Sequence, residues 1–259
     1  MLDTISVIIP CFNAEKFIGN ALLSIYEQTK RPLEVICVDD KSTDLTINVI
    51  ASFQEHLSDL EIILIESSVN AGPAVARNYG RKFAKGKWIA FLDADDTWHP
   101  QKLELQLDAL IKHSLVFIGS AFSYTATSNH IYSCDIKKIS VSNLLLKNYF
   151  PTPSVMALNE VLIPFDESMR YSEDYACWLL MAKHGYEMGY IPTPLTFLGK
   201  PSYGHSGLSA NLVQMEYGEL RAIRKCLGQL NAKAIFFQAF SILKFIKRIA
   251  VVTIRRLVN

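Results

Sequence analysis

Residues 88–98 read WIAFLDADDTW. Five apolar residues lead directly into three carboxylates, Asp93, Asp95 and Asp96, which lie within four positions. A continuous apolar run is typical of a strand that is covered on both faces. Crowded carboxylates repel each other unless a metal ion, an arginine or a lysine balances them. The stretch therefore predicts a buried strand that ends at a charged site.

The sequence around this stretch alternates regularly between two patterns. Short apolar, β-branched runs predict strands at 5–10, 34–40, 61–67 and 87–93. Helical spacing of apolar residues predicts helices at 14–28, 45–56, 73–84 and 100–113. Strands that alternate with helices form parallel βαβ units. We therefore expect an α/β fold, a mainly parallel, Rossmann-like sheet flanked by helices.

Polar residues follow each of the four predicted strands. They are the segment 10–13, the pair Asp39 and Asp40, the segment 70–72, and the acidic loop, which we define as 93–96. Ligands of open α/β sheets bind at the carboxyl ends of the strands. The four strand ends therefore predict one crevice with acid on two of its walls.

The second half of the chain is less regular. The run 115–124 is consistent with another strand, and 144–149 with a short helix. A further helix is predicted at 175–184, with Ser172 as its cap. The Gly-, Ser- and Pro-rich stretch 199–209 predicts a mobile loop.

Composition narrows the function classes. The 259 residues are half apolar and carry a formal net charge of +1, which gives no global attraction to nucleic acid. The five cysteines are odd in number and contain no CxxC pair, so they fit a reducing cytosol and not a disulfide framework. The sequence contains no run of about 18 apolar residues, so it does not predict a membrane-spanning helix.

The C-terminal segment is strongly basic. From Asn231 onwards it holds six Lys or Arg and no acid, which leaves 20 basic and 25 acidic residues in the rest of the chain. Its pattern is helical, and an arc of about 100° collects five cations at 3.6 residues per turn: Lys233, Lys244, Lys247, Arg248 and Arg255. Basic charge beside bulky apolar residues predicts an interfacial helix on anionic lipid. Packing against the domain, or against another copy, is the alternative.

The acidic loop fits a divalent cation. Oxygen ligands suit Mg²⁺ or Mn²⁺, which bind one or two carboxylates and complete their shell with phosphates and water. The alternative is structural: Asp93 caps the next helix or pairs with Arg77. The sequence DADDT also resembles the haloacid-dehalogenase phosphatases, with Asp93 as nucleophile. That motif normally follows the first strand of its fold, whereas three βα units precede it here.

Five motifs together resemble the family-2 glycosyltransferases, which have the GT-A fold: SVIIPCFNAEKFI, QTKRPLEVICVDDKSTDLT, NAGPAVARNYG, FLDADDTWHP and SEDYACWLLMAKHG. They occur in the family's order and cover about residues 4–190. The resemblance is closest to bacterial enzymes of O-antigen, capsule or lipooligosaccharide synthesis. It implies an inverting, Mn²⁺- or Mg²⁺-dependent transfer of a hexose or N-acetylhexosamine from a UDP-sugar. The implied acceptor is a saccharide on a polyprenyl diphosphate or another lipid.

The resemblance also assigns residues to the nucleotide-sugar. Phe12 is expected to stack on the uracil, Asp40 to accept its N3–H, and Arg77 to lie beside the nucleotide and the acidic loop. Asp93 is expected to contact the ribose or support the metal. The remaining nucleotide-sugar contacts by resemblance are Pro10, Asn13, Gly72, Ala94 and Asp95. Structural alternatives are a core position for Phe12, a turn cap for one of Asp39 and Asp40, and an ion pair of Arg77 with Asp93.

The same resemblance assigns the metal and the catalytic base. Asp95 matches the metal ligand, with His205 as a late ligand or, alternatively, an exposed loop residue. Asp174 matches the base that deprotonates the acceptor hydroxyl. Glu173 and Trp178 are expected to contact the acceptor. A helix N-terminus favours carboxylates simply as caps, and Trp178 also suits a core.

The expected organisation has two parts. Residues 1–210 form the GT-A domain, with 1–113 binding the nucleotide-sugar and 114–210 binding the acceptor. Residues 211–259 form the basic, membrane-associating helical extension. The implied location is cytoplasmic, peripheral on the inner face of the cell membrane. A nucleotide-sugar-binding protein without turnover is the remaining alternative to the transferase and the phosphatase.

Overall fold

The computed structural model describes residues 3–127, 129–131, 134–200, 210–228 and 231–258. The strands are β1 Ile5–Cys11, β2 Glu34–Asp39, β3 Ile62–Glu66, β4 Trp88–Phe91, β5 Thr97–Trp98, β6 Phe117–Ser123, β7 Lys137–Ile139, β8 Met156–Leu158 and β9 Met188–Phe197. The helices are α1 Ile18–Tyr26, α2 Thr46–His56, α3 Pro73–Phe83, α4 Lys102–Lys112, α5 Val141–Leu146, α6 Glu173–Lys183, α7 Leu212–Leu227 and α8 Ala232–Val258, and Thr152–Ser154 form a 3₁₀ turn.

The strands form one nine-stranded sheet in the order β3-β2-β1-β4-β8-β6-β9-β5, with β7 added against β9. The strands β1 to β4 are parallel to one another, as the βα alternation predicts. The reversed strand β8 pairs with both β4 and β6, and β9 runs parallel to β6. The predicted α/β fold with a mainly parallel sheet and flanking helices is confirmed, and the sheet is continuous across both halves of the chain.

The central strands are covered on both faces, which explains their continuous apolar sequences. All residues of β2 and β4 are buried. Successive apolar residues of a strand point to opposite faces of the sheet, where they enter two separate clusters; Ile8 of β1 belongs to one cluster and Ile9 to the other. The carboxyl ends of β1, β2 and β4 are thereby fixed side by side.

Two local features differ from the sequence predictions. The short helix predicted at 144–149 is α5, which begins earlier because Ser140 and Asn143 form a reciprocal capping box. Ser172 occupies the N-cap position of α6, but its side chain does not cap the helix. It has a left-handed φ of 56°, and its hydroxyl donates to the Met215 carbonyl oxygen at 3.2 Å.

The segment 201–209, including most of the predicted mobile loop, lies outside the described residues.

The C-terminal segment is helical, as predicted. α7 packs on α6 and α8 packs on α7. Within the described residues, no helix is both long and apolar enough to cross a membrane. The predicted basic arc does not face outward as a unit, because Arg248 and Lys244 both approach Glu219 of α7, at 2.6 and 3.9 Å.

Candidate active site

A cavity of about 920 Å³ opens at the carboxyl ends of the parallel strands. It brings together eleven residues that the sequence singles out: Pro10, Phe12, Asn13, Asp40, Gly72, Arg77, Asp93, Ala94, Asp95, Glu173 and Asp174. They come from segments that are far apart in sequence. A volume of this size is typical of small-molecule sites, which measure roughly 300–1,000 Å³.

The ends of β2 and β3 are held together by Asp40. Its Oδ1 accepts from the backbone N–H of Ala71 at 2.8 Å, and its Oδ2 accepts from that of Gly72 at 2.7 Å. The neighbouring Asp39 accepts from the hydroxyl and the N–H of Ser42. Both Asp39 and Asp40 therefore accept structural hydrogen bonds, whereas the sequence suggested such a role for one of the two. Only Asp40 also lines the cavity, with lone pairs left for a further donor.

The end of β1 presents an aromatic ring. The Phe12 side chain is 51% exposed and lines the cavity, so it is not a core residue. Asn13 beside it has a left-handed φ of 48°, and its side-chain oxygen accepts from the backbone N–H of Thr43 at 2.9 Å. The turn fixes the direction in which the chain leaves the strand and exposes the Phe12 ring.

Arg77 of α3 joins two carboxylates across the cavity. Its Nη2 donates to Asp93 at 2.7 Å, and its Nη1 donates to Glu173 at 2.8 Å. The arginine is buried. Burial by itself lowers the pKa of Arg77, but Asp93 and Glu173 outweigh this effect and raise the pKa above its usual value. The guanidinium is permanently charged and fixes the acidic loop relative to the start of α6.

The acidic loop is covered by the segment that follows β9. The backbone N–H of Gly199 donates to Asp96 at 2.9 Å, and Lys200 Nζ lies 2.5 Å from Asp95 Oδ2. Burial, together with the charges of Asp93 and Asp95, raises the pKa of Asp96 to about 8. Burial lowers the pKa of Lys200, but its hydrogen bond and ion pair with Asp95 outweigh burial and raise it.

The donor atoms of the acidic loop suit a divalent cation that binds few protein ligands. Asp93 and Asp95 offer partly exposed carboxylates to the cavity, and the Lys200 ammonium already occupies a cation position on Asp95. Across the described ranges, no three His, Cys, Asp or Glu side chains converge as a metal cage. This arrangement fits Mg²⁺ or Mn²⁺, which complete their shells with phosphate and water oxygens. His205 lies outside the described residues.

The start of α6 places two carboxylates next to each other. Asp174 accepts from the Thr152 hydroxyl at 3.1 Å and from the backbone N–H of Tyr175 at 2.6 Å. Burial raises the pKa of Asp174. Burial also raises the pKa of Glu173 to about 7, although Arg77 opposes the shift. A carboxylate with a raised pKa is a stronger base, which suits proton abstraction near neutral pH.

The acceptor-binding prediction for Trp178 is wrong. Its side chain is fully buried and packs edge-on against Phe117 and Phe165. The indole Nε1–H donates to the Phe150 carbonyl oxygen at 3.0 Å. Trp178 is a core residue of α6 and is not part of the cavity lining.

One wall of the cavity was not predicted from the sequence. We define the C-terminal wall as Tyr171, Met215, Glu219, Lys244 and Arg248, which line the cavity from the segment before α6 and from α7 and α8. Arg248 donates to both Glu219 oxygens, at 2.6 and 3.1 Å. The excess of basic residues after Asn231 was visible in the sequence, but nothing in it indicated that two of them turn toward this cavity.

Comparison with known proteins identifies the class. Residues 6–163 match the family described as glycosyl transferase family 2. The chain is therefore a glycosyltransferase, and within that class it belongs to family 2. This membership does not favour the phosphatase alternative. The structure agrees, because Asp93 follows the fourth strand of the chain and is bound by Arg77.

Several curated relatives are bacterial. The glucosyltransferase WfgD of Escherichia coli, which is named as using UDP-Glc and α-D-GlcNAc-diphosphoundecaprenol, is 32% identical over 180 residues, 69% of this chain and 70% of its own. TuaG of Bacillus subtilis (strain 168), a putative teichuronic acid biosynthesis glycosyltransferase, is 30% identical over 189 residues, 70% of this chain and 73% of its own.

Two solved structures share the fold. TarS 1–349 of S. aureus in complex with UDP-GlcNAc superimposes with a TM-score of 0.68 at 20% identity, covering 95% of this chain and 72% of its own. The mannosyltransferase PcManGT from Pyrobaculum calidifontis, in complex with GDP-Man and Mn²⁺, gives a TM-score of 0.72 at 20% identity, covering 96% and 72%. At these identities the comparison supports the GT-A fold of the chain.

Proposed function

We propose that this glycosyltransferase moves a hexose or N-acetylhexosamine from a UDP-sugar, with inversion, to a lipid-linked saccharide of a bacterial surface polysaccharide. The observation that carries the proposal is the single cavity shared by Asp95 and Asp174, with Arg77 linking the two sides. The names of WfgD and TuaG support the UDP-sugar, the lipid diphosphate and the polysaccharide.

The donor is assigned to the strand ends of residues 1–113. The exposed ring of Phe12 stacks on uracil, a contact worth about 1–3 kcal/mol, and Asp40 accepts its N3–H. Pro10, Asn13, Gly72 and Ala94 line the rest of this side. Asp95, supported by Asp93, holds Mn²⁺ or Mg²⁺, which when bound neutralises the leaving diphosphate. The Mn²⁺ complex of PcManGT supports this choice of cofactor.

The acceptor is assigned to residues 114–210, where Asp174 acts as the general base. Its bonds to Thr152 and the Tyr175 N–H fix its orientation without supplying a positive charge of their own. The carboxylate takes the proton of the acceptor hydroxyl as that oxygen attacks the anomeric carbon and the diphosphate leaves. Glu173, fixed by Arg77, positions the acceptor and the base.

The extension 211–259 is assigned to an anionic membrane surface. Seven large apolar residues are exposed in the described part of α8, and all but Val251 lie within an arc of about 140° at 3.6 residues per turn: Ile235, Phe236, Ile242, Leu243, Ile246 and Ile249. Lys233 and Lys247 are exposed at one edge of this apolar face. Such a face next to lysines fits the headgroup boundary of anionic lipids. Peripheral attachment on the inner face of the cell membrane would bring the cavity to a lipid-linked acceptor.

Two binding measurements and one rate test the catalytic part. Calorimetry should show UDP binding that depends on Mn²⁺ and is lost in Asp95→Ala. Asp174→Asn should keep UDP binding while transfer to a diphospholipid-linked saccharide falls by about 10²–10⁴-fold, the range for a lost general base. Loss of UDP binding in Asp174→Asn would contradict the assigned role. UDP binding without transfer to any lipid-linked or free saccharide would favour the non-catalytic alternative.

Liposome flotation tests the membrane part. Phe236→Gln with Leu243→Gln should release the protein from vesicles of anionic phospholipid, and wild type should not float with neutral vesicles. A matched control is Tyr79→Gln, which changes an exposed aromatic residue on α3 and should float like wild type. Equal flotation of the α8 variant and wild type would contradict membrane attachment. Elution of the wild type as a dimer in gel filtration would instead assign the apolar face to a second copy.

A further inference from the structure

The segment after β9 is fixed on the acidic loop by its backbone. The N–H of Leu198 donates to the Ser123 carbonyl oxygen at 2.9 Å, and the N–H of Gly199 donates to Asp96 Oδ1 at 2.9 Å. The α-carbon of Gly199 lies so close to the carbonyl oxygen of Asp95 that any Cβ there would collide with it. This close approach places the next residue, Lys200, directly over the acidic loop.

The three acids of the loop have different partners. Asp93 is paired with Arg77, and Asp96 is buried and bonded to the Gly199 N–H. Asp95 is paired with Lys200, and both side chains are partly exposed, at 26% and 37%. The ammonium therefore lies where the cavity is open to an incoming ligand, on the acid assigned to the metal.

We propose that Lys200 exchanges partners during donor binding: it neutralises Asp95 in the free protein and binds the diphosphate of the nucleotide once a divalent cation takes Asp95. This inference rests on the proposed function for the identity of the nucleotide. An oxygen that accepts the ammonium at 2.5 Å has no room for a metal ion in the same direction. Lysine suits the exchange, because its ammonium is a compact charge on a flexible four-carbon stem.

The exchange is favourable only when the nucleotide binds together with the cation. A cation that binds alone must displace Lys200 and leave the ammonium without its carboxylate. When a nucleoside diphosphate binds as well, the displaced ammonium finds phosphate oxygens beside the loop. Lys200 thus weakens binding of the metal alone and strengthens binding of the metal with the nucleotide.

The test uses Lys200→Met and separates these two effects by titration calorimetry. Mn²⁺ alone should bind the variant about two- to fivefold more tightly than wild type, the range expected when a partly exposed ion pair is removed. UDP at saturating Mn²⁺ should bind the variant several-fold more weakly. Lys200→Arg keeps the positive charge and should lie between wild type and Lys200→Met in both titrations. Lys138→Met is the matched control, because Lys138 pairs with Glu187 outside the cavity.

Opposite shifts in the two titrations are specific to the exchange, since a misfolded site would lose both ligands. Unchanged or weaker Mn²⁺ binding in Lys200→Met would overturn the first half of the proposal, and unchanged UDP binding at saturating Mn²⁺ would overturn the second. If UDP fails to bind wild type, the uridine donor of the proposed function is wrong, and the titration with Mn²⁺ alone still decides whether Lys200 competes at Asp95.

Discussion

Two arginines of this protein lie between pairs of acids. Arg77 contacts Asp93 and Glu173 at 2.7 and 2.8 Å, and Arg248 contacts Glu219 and Glu216 at 2.6 and 3.9 Å. Arg77 has a side-chain exposure of 5% and contacts Glu173, which lies 96 positions further along the chain. Arg248 is more exposed, at 17%, and connects the neighbouring helices α7 and α8.

The difference shows what each network fixes. Arg77 joins the strand end that holds the assigned metal ligand to the helix that holds the assigned base, so its position sets the distance between them. Arg248 joins two helices of the extension and shapes the C-terminal wall. Replacing the first should affect stability and transfer together, and replacing the second should act mainly on the packing of α8.

Arg77→Met gives the largest expected loss of stability. The buried Glu173 and the partly exposed Asp93 would remain without their cation, and breaking such a buried pair destabilises by about 3–5 kcal/mol. Urea unfolding followed by circular dichroism measures the change, and transfer activity should fall with it. A loss no larger than that of Arg248→Met would break the distinction between the two networks.

The double variant Arg77→Met with Glu173→Gln sharpens this result. Removing one uncompensated carboxylate should recover part of the loss, with a coupling of about 0.5–3 kcal/mol. A double-mutant cycle in the same urea assay measures it. Strict additivity of the two single changes would show that Arg77 and Glu173 do not stabilise each other.

Arg248→Met should destabilise less, by about 1.5–3 kcal/mol for lost charge-assisted hydrogen bonds. The loss is smaller because Glu219 keeps two further partners, the Ser241 hydroxyl at 3.2 Å and the Lys244 ammonium at 3.9 Å. Hydrogen exchange should localise the effect to amides of α7 and α8. Exchange that rises equally in the central strands would contradict a local role.

The pH dependence of transfer is the smallest predicted effect. Since burial raises the pKa of Asp174, the carboxylate is lost by protonation as the pH falls through that raised pKa. The acid limb of kcat/KM should therefore lie above the usual Asp pKa of about 3.9. The variant Glu173→Gln should still lose activity at low pH. If this acid limb disappears in the variant, Glu173 and not Asp174 is the general base.

The sequence predicted the first four strands, and the residues at their carboxyl ends that line the cavity, because local signals coincide there. In β1, β2 and β4, continuous apolar runs mark burial, and polar residues directly follow the strand ends that meet in the cavity. Helix boundaries were less accurate, as for α1, which begins at Ile18 instead of residue 14. Residues before it form the turn that exposes Phe12.

The other side of the cavity depends on contacts between distant segments, which local patterns do not encode. Helix α6 is buried on nearly all sides, so its sequence has no polar face to show that Trp178 points into the core. Lys200 was visible after β9, but its place on Asp95 follows from the pairing of β9 with β6 and β5. The pairing of Arg248 with Glu219 likewise follows from the packing of α8 on α7.

The span of Arg77 has a consequence for exchanging parts between glycosyltransferases. A chimaera that grafts the nucleotide-sugar half of this chain onto the acceptor half of a relative must also supply a carboxylate where Glu173 stands. Without it, a permanently charged guanidinium would lose one of its two partners inside the hybrid protein. The nucleotide-sugar half therefore cannot be moved by itself. A successful exchange should keep the pair of Arg77 and a carboxylate at position 173 together.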